Sequence, residues 1–362
     1  ADHHVLDHAC VPCSFGEKND GGDDPMGANT TCDVPPMKFA EGNWTQLGDD
    51  IYGEAESDAS GKVVAVSGDG KIVAVGAYLN DGTGTNAGHV RVYRYESNAW
   101  TQLGDDIDGE AAGDESSGRS SAVSLSNDGM TLAVGARFND GNGDNSGHTR
   151  VYRYESNVWS QLGEDIDGEF AGDQAGESVT LSSDGTVVAF GALLNDGNGE
   201  NSGQVRVYQY RSGAWTQIGD DIDGEHAGDE SGWAVSLSSD GTVVAIGSHK
   251  NDDAGTDAGH VRVYRHHLGT WTQLGSDIDG EVGKRLASVS LSNDGTIVAV
   301  GARETSGTDS GRAQVYRFSS GEWTPMGDAI HGEAAGAWAG RSVSLSGDGM
   351  IVAVGANKNY DD

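Results

Sequence analysis

The sequence predicts an all-β protein: a six-bladed β-propeller of four-stranded antiparallel blades, closed by its N- and C-terminal segments and preceded by a short Cys-rich extension. Three observations lead there. Close copies of residues 176–215 recur along the chain, each with two apolar runs, an Asp-Gly pair and a glycine-rich loop. Tryptophans fall at nearly constant spacing, at Trp44, Trp100, Trp159, Trp215, Trp271 and Trp323. Small-residue pairs end six second strands: Gly76-Ala77, Gly135-Ala136, Gly191-Ala192, Gly247-Ser248, Gly301-Ala302 and Gly355-Ala356. Small residues there let neighbouring sheets approach as they converge.

Within one repeat each element has its own signal. Ser178–Ser182 and Thr186–Gly191 are runs of β-formers flanking Asp184-Gly185, which predicts a hairpin with a type I′ turn. A polar loop, Asn195–Gly203, leads to a third strand at Gln204–Tyr210. The turn Arg211-Ser212-Gly213 opens a fourth at Ala214–Ile218. The ends interlock: Trp44 reads as a fourth strand lacking its first three, while residues 341–356 supply first and second strands. Pro35 and Pro36 stand where other repeats carry Val-Arg-Val-Tyr, and proline cannot donate to a ladder. The composite blade is therefore short there, or another chain completes it.

Composition agrees. Fifty-seven glycines and five prolines in 362 residues describe turn-rich β structure. Length alone suggests several domains, but a closed ring is one, giving an extension at 1–34 and a propeller at 35–362. No apolar run reaches the ~18 residues that cross a bilayer, so no membrane insertion is expected. A net charge of −35 argues against nucleic acid and favours cations and basic partners. The start at Ala1 suggests a mature chain whose signal peptide has gone, hence an extracellular protein.

The extension holds Cys10, Cys13 and Cys32 together with His3, His4 and His8. In an oxidising compartment one disulfide joins Cys32 to Cys10 or Cys13, and the odd thiol is free to pair with another chain. The competing reading is a metal site built from the histidines and Cys-x-x-Cys. Asn29 and Asn43 head N-glycosylation sequons. The stretch resembles small Cys-rich modules of secreted algal surface proteins.

The repeats resemble the FG-GAP family, the propeller type of integrin α-subunit heads, through Gly176…Ser178-Val179, Val188-Ala189-Phe190-Gly191-Ala192 and Gly203…Val205-Arg206-Val207-Tyr208. The resemblance implies a propeller fold over about 320 residues. Many such blades carry a calcium loop between their first two strands. Here Ser-Asn-Asp-Gly or Ser-Ser-Asp-Gly hairpins replace it, too short to wrap an ion that takes 6–8 oxygens.

Acids concentrate in the links between blades, which share one face of the disc with the loops joining second and third strands. Four links carry Asp106/Asp108/Glu110, Asp165/Asp167/Glu169, Asp221/Asp223/Glu225 and Asp277/Asp279/Glu281, while Tyr52 and His331 break two others. One reading is weak Ca²⁺ binding, since these are the first-half spacings of an EF-hand loop. The other is a solvated surface whose repeated Glu holds backbone amides between blades. Arg91, Arg150, Arg206 and Arg262 are expected to lock onto that Glu. His89, His148 and His260, scattered around a ring rather than converging, read against a metal site.

Near-identical blades offer no convergence of unlike groups, so the chain reads as no enzyme. The expected role is an extracellular structural or adhesion module, joined to other protein chains and to copies of itself through the N-terminal tail. An algal flagellar hair or coat is a version the resemblance suggests. The alternative is a secreted calcium-dependent lectin binding glycans through loops such as Asn195–Asn201.

Overall fold

The computed structural model describes residues 3–6, 9–12, 45–118, 121–304 and 310–357. Among these every regular element is a strand, and no helix is long and apolar enough to cross a membrane. Five sheets follow one another along the chain, each with four strands in sequential antiparallel order, and a sixth sheet has two. The third sheet is representative: Ala175–Leu181, Val187–Ala192, Gln204–Arg211 and Ala214–Gln217. A two-residue fifth strand, Ile222–Asp223, returns from the link to pair with the start of the third strand, an element not anticipated from sequence. At the N-terminus His3–Leu6 pairs with Ala9–Pro12, setting Cys10 opposite Val5. Cys13, Cys32, Asn29, Asn43 and Trp44 lie outside the described residues.

The primed turns sit elsewhere than expected. At the first hairpin only Gly185 has positive φ (68°), so the turn is not type I′. Gly185 N–H donates to Ser182 C=O at 2.9 Å, and the Asp184 carboxylate accepts from the Ser182 hydroxyl and the Thr186 N–H. That is a type I turn followed by a left-handed glycine, stabilised by side chains that supply what a I′ backbone would not need. Between third and fourth strands both central residues are left-handed, as at Ser212 (53°) and Gly213 (91°), which is the I′ geometry.

Successive sheets pack through apolar faces. Val179, Leu181 and Phe190 of the third sheet meet Ala133 and Val151 of the second. Val179 and Leu181 keep 4% and 7% exposure, and burial of each such side chain is worth about 1.5–3 kcal/mol. A Cβ on Gly191 would stand 2.0 Å from the Gly232 carbonyl oxygen of the next sheet, so glycine is required by the close approach. The fourth-strand tryptophans stitch each sheet to the preceding link: Trp100, Trp159, Trp215, Trp271 and Trp323 donate to the carbonyls of Leu47, Leu103, Leu162, Ile218 and Leu274 at 2.6–2.8 Å. A belt of backbone bonds joins the first hairpins as well, from Gly68 N to Asn127 O and onward through Ser183, Ser239 and Asn293 to Gly347 O, each 2.8–2.9 Å.

Residues beginning the first strands of several sheets, among them Lys62, Ser121, Trp233, Ser288 and Ser342, surround one cavity of about 340 Å³. The sheets therefore converge on an axis. Their last junction differs from the others. Val64 and Val66, the first-sheet counterparts of Val179 and Leu181, are 61% exposed, and Ile351 on the sixth sheet is 68% exposed. Among the described residues, the sixth sheet, Ala339–Leu345 with Val352–Ala356, has no third or fourth strand.

Candidate functional site

The acidic links create repeated polar clusters where one sheet meets the link before it. In the first sheet, His89 opens the strand His89–Glu96 and Glu54 comes from the preceding link. Asp106 precedes the short strand Ile107–Asp108, which pairs back onto His89 and Val90. This pairing carries Asp106 to the histidine. His89 Nδ1 lies 3.8 Å from Glu54 Oε2, 3.7 Å from Asp106 Oδ2 and 3.9 Å from Asp108 Oδ1. The second sheet repeats the cluster as Glu110, His148 and Asp165, both oxygens 3.8 Å from Nδ1. The fourth repeats it as Glu225, His260 and Asp277, at 3.7 and 3.6 Å. In each cluster the three donor atoms lie within 4.8 Å of one another, so each set could hold a metal ion.

Burial divides the clusters unevenly. The side chains of His89, His148 and His260 are 1%, 4% and 0% exposed, whereas Glu54 and Asp106 keep 47% and 27%. Burial, then the neighbouring Arg150, pushes the His148 imidazole below its usual pKa, and His260 is lowered in the same way by burial and Arg262. Burial likewise raises the carboxyls of Asp108, Asp167 and Asp223.

The arginines lie beside the repeated Glu, as the lock reading expects. Arg91 Nη1 is 3.6 Å from Glu54 Oε1, and the matching distances are 3.8 Å for Arg206–Glu169 and 3.4 Å for Arg262–Glu225. Each of these three also donates to a backbone carbonyl of the preceding link, at Tyr52, Asp167 and Asp223. Arg150 differs: it grips Asp165 with two bonds of 2.8 and 2.7 Å and pairs with Glu110. Asp165 is consequently held below the usual carboxylate range: burial works against this, but hydrogen bonds from Arg150 and Gln161 outweigh it.

The link triads do not act as units. Asp106, Asp165 and Asp277 serve the sheet they follow, while Glu110 and Glu225 serve the sheet they precede. Asp108, Asp167, Asp223 and Asp279 sit in the short fifth strands, in register with His89, His148, Gln204 and His260. Asp221 accepts from Gln217, Glu169 from Gln204, and Glu281 pairs with Lys284 and Arg312. Glu54 was invisible to the triad pattern because Tyr52 interrupts it. The histidines do not converge on one another, yet each converges with its own two carboxylates. A constant offset between each third-strand His and its following Asp is the signal that would have found them.

The third and fifth sheets depart from the pattern in concert. Where His is replaced by Gln204, its amide donates to Glu169 Oε2 at 2.9 Å. In the fifth sheet Arg312 stands in the histidine place and pairs with Glu281 at 2.5 Å, and Ala329 replaces the aspartate.

Residues 222–264 match the FG-GAP repeat profile. No curated protein matches the chain. Among solved structures it is similar to Kuenenia stuttgartiensis hydrazine synthase, at 12% identity over 85% of this chain and 77% of that one, TM-score 0.54. It is also similar to the Pseudomonas aeruginosa periplasmic gluconolactonase PpgL, at 19% identity over 81% and 77%, TM-score 0.56. At such identities the likeness concerns the fold.

Proposed function

We propose that this FG-GAP-repeat β-propeller is a non-enzymatic interaction module of an extracellular structural or adhesive assembly, binding other protein chains, further copies of itself among them. The open junction carries the reading. Val64 and Val66 on one side and Ile351 on the other are apolar and more than half exposed, beside Val352–Ala356, the edge of its sheet among the described residues. An exposed strand edge next to an apolar face is a template for strand addition from a second chain.

The lectin alternative is less favoured by the loops it relies on. Asn198 donates to the carbonyls of Gly224 and Glu225, Asn195 to Asp173, and the Asp196 carboxylate accepts from Asn201 N–H. Those groups are engaged within the chain rather than turned to a glycan.

Sedimentation equilibrium and electron microscopy of the full chain under oxidising conditions test the proposal. Concentration-dependent multimers that dissociate in a Val64→Asp/Ile351→Asp variant are expected. A chain that stays monomeric across the accessible concentration range would overturn it.

A further inference from the structure

We propose that the Glu–His–Asp clusters of the first, second and fourth sheets are binding sites for a divalent transition-metal ion of the zinc class, independently of how the chain assembles. An acidic cluster alone would not suffice. The decisive feature is a buried imidazole nitrogen aimed into each one. His89, His148 and His260 each keep Nδ1 without a hydrogen-bond partner among the described residues. The facing carboxylate oxygens, at 3.6–3.8 Å, are beyond hydrogen-bond reach. A buried polar atom left unpaired is destabilising, because it has lost its water without gaining a partner. An ion seated among the three atoms would remove that cost in every cluster at once.

The outer oxygens are held as metal-site ligands are. Asp106 Oδ1 accepts from Gln102 and Asp277 Oδ1 from Gln273, leaving each Oδ2 toward the histidine. Glu54 and Glu225 turn Oε1 toward Arg91 and Arg262 and Oε2 toward the imidazole. Such outer partners orient ligands and fix which atom binds. In the second sheet Arg150 already holds Asp165, so that site is the weakest.

Donor chemistry selects the ion. One imidazole nitrogen and two carboxylate oxygens suit zinc and its neighbours, whereas calcium takes 6–8 oxygens. The ion at these sites is therefore not the Ca²⁺ that the link spacing suggests. The repeats supply their own control. Gln204 bonds the glutamate directly, so the third sheet needs no ion, and in the fifth sheet histidine and aspartate are lost together.

Calorimetric titration of Zn²⁺ into the chelator-stripped full chain tests this. The native chain should take up about three more ions than the His89→Gln/His148→Gln/His260→Gln variant, the second-sheet site filling last and the N-terminal histidines and cysteines contributing equally to both. Gln204→His should add a site and raise zinc-dependent Tm. If the triple variant melts below the stripped native chain, Asp106→Asn/Asp277→Asn replaces it, with a loss of about two ions expected. Equal uptake by native and variant, or displacement of zinc by equimolar calcium, would overturn the proposal.

Discussion

The junction between the second and third sheets and the junction between the sixth and first use the same residue types with opposite results. Val179 and Leu181 are sealed, while their counterparts Val64 and Val66 are 61% exposed. The belt of hairpin hydrogen bonds shows the same contrast: it passes through Ser183 but, among the described residues, runs only from Gly68 to Gly347 without returning. The difference shows that apolar strand faces alone do not seal a junction. A sealed junction also needs the third strand of the preceding sheet, as Val151 provides for Val179 and Leu181.

The largest test of that contrast is at Phe190, fully buried and stacked on Tyr208 at 5.7 Å. Phe190→Ala should cost about 3–5 kcal/mol in denaturant unfolding, and Val64→Ala less than about 1 kcal/mol. Equal costs would mean the first junction is sealed in solution. The next test is a methyl group. Gly191→Ala forces a backbone oxygen away and should cost about 1–3 kcal/mol. Gly355→Ala, in the sixth sheet, meets only the movable Ser342 hydroxyl at 2.3 Å and should cost distinctly less, read as a smaller fall in Tm.

The smallest effect should ignore the junctions altogether. Asp184 and Asp348 are both held below their usual pKa. At Asp184 burial opposes this and bonds from Ser182 and Thr186 prevail; at Asp348 the leading causes are bonds from Ser346 and Met350. A carboxyl depressed in the fold stabilises it above the unfolded pKa of about 3.9, and that contribution disappears as pH falls through the folded value. Asp184→Asn and Asp348→Asn should therefore lower Tm slightly and alike at pH 7, with the difference from native vanishing in acid. A much larger loss at Asp184 would show that the turn depends on its neighbours.

The repeats, the tryptophans and the Gly-Ala pairs were legible because each repeat states the same local pattern. The hairpin at Asp184-Gly185 was misread because Asp-Gly does signal a tight turn, yet Ser182 and Asp184 side chains favour a looser one with a single left-handed residue. The polar clusters were hardly legible. Glu54, His89 and Asp106 belong to three separate segments, and only the short strand Ile107–Asp108 brings the last of them alongside. The carboxylates spaced two apart suggested a unit, but the link runs from one sheet to the next, leaving Asp106 beside His89 and carrying Glu110 to His148.

The tryptophan stitches all point one way. Each indole reaches back to a carbonyl made earlier in the chain, from Trp100 on Leu47 to Trp323 on Leu274. During synthesis, then, each of the first five sheets finds its tryptophan's anchor already made, while the hairpin belt is completed by the sheet that follows. Such a chain can mature in step with translation, exposing one unfinished edge at a time rather than many.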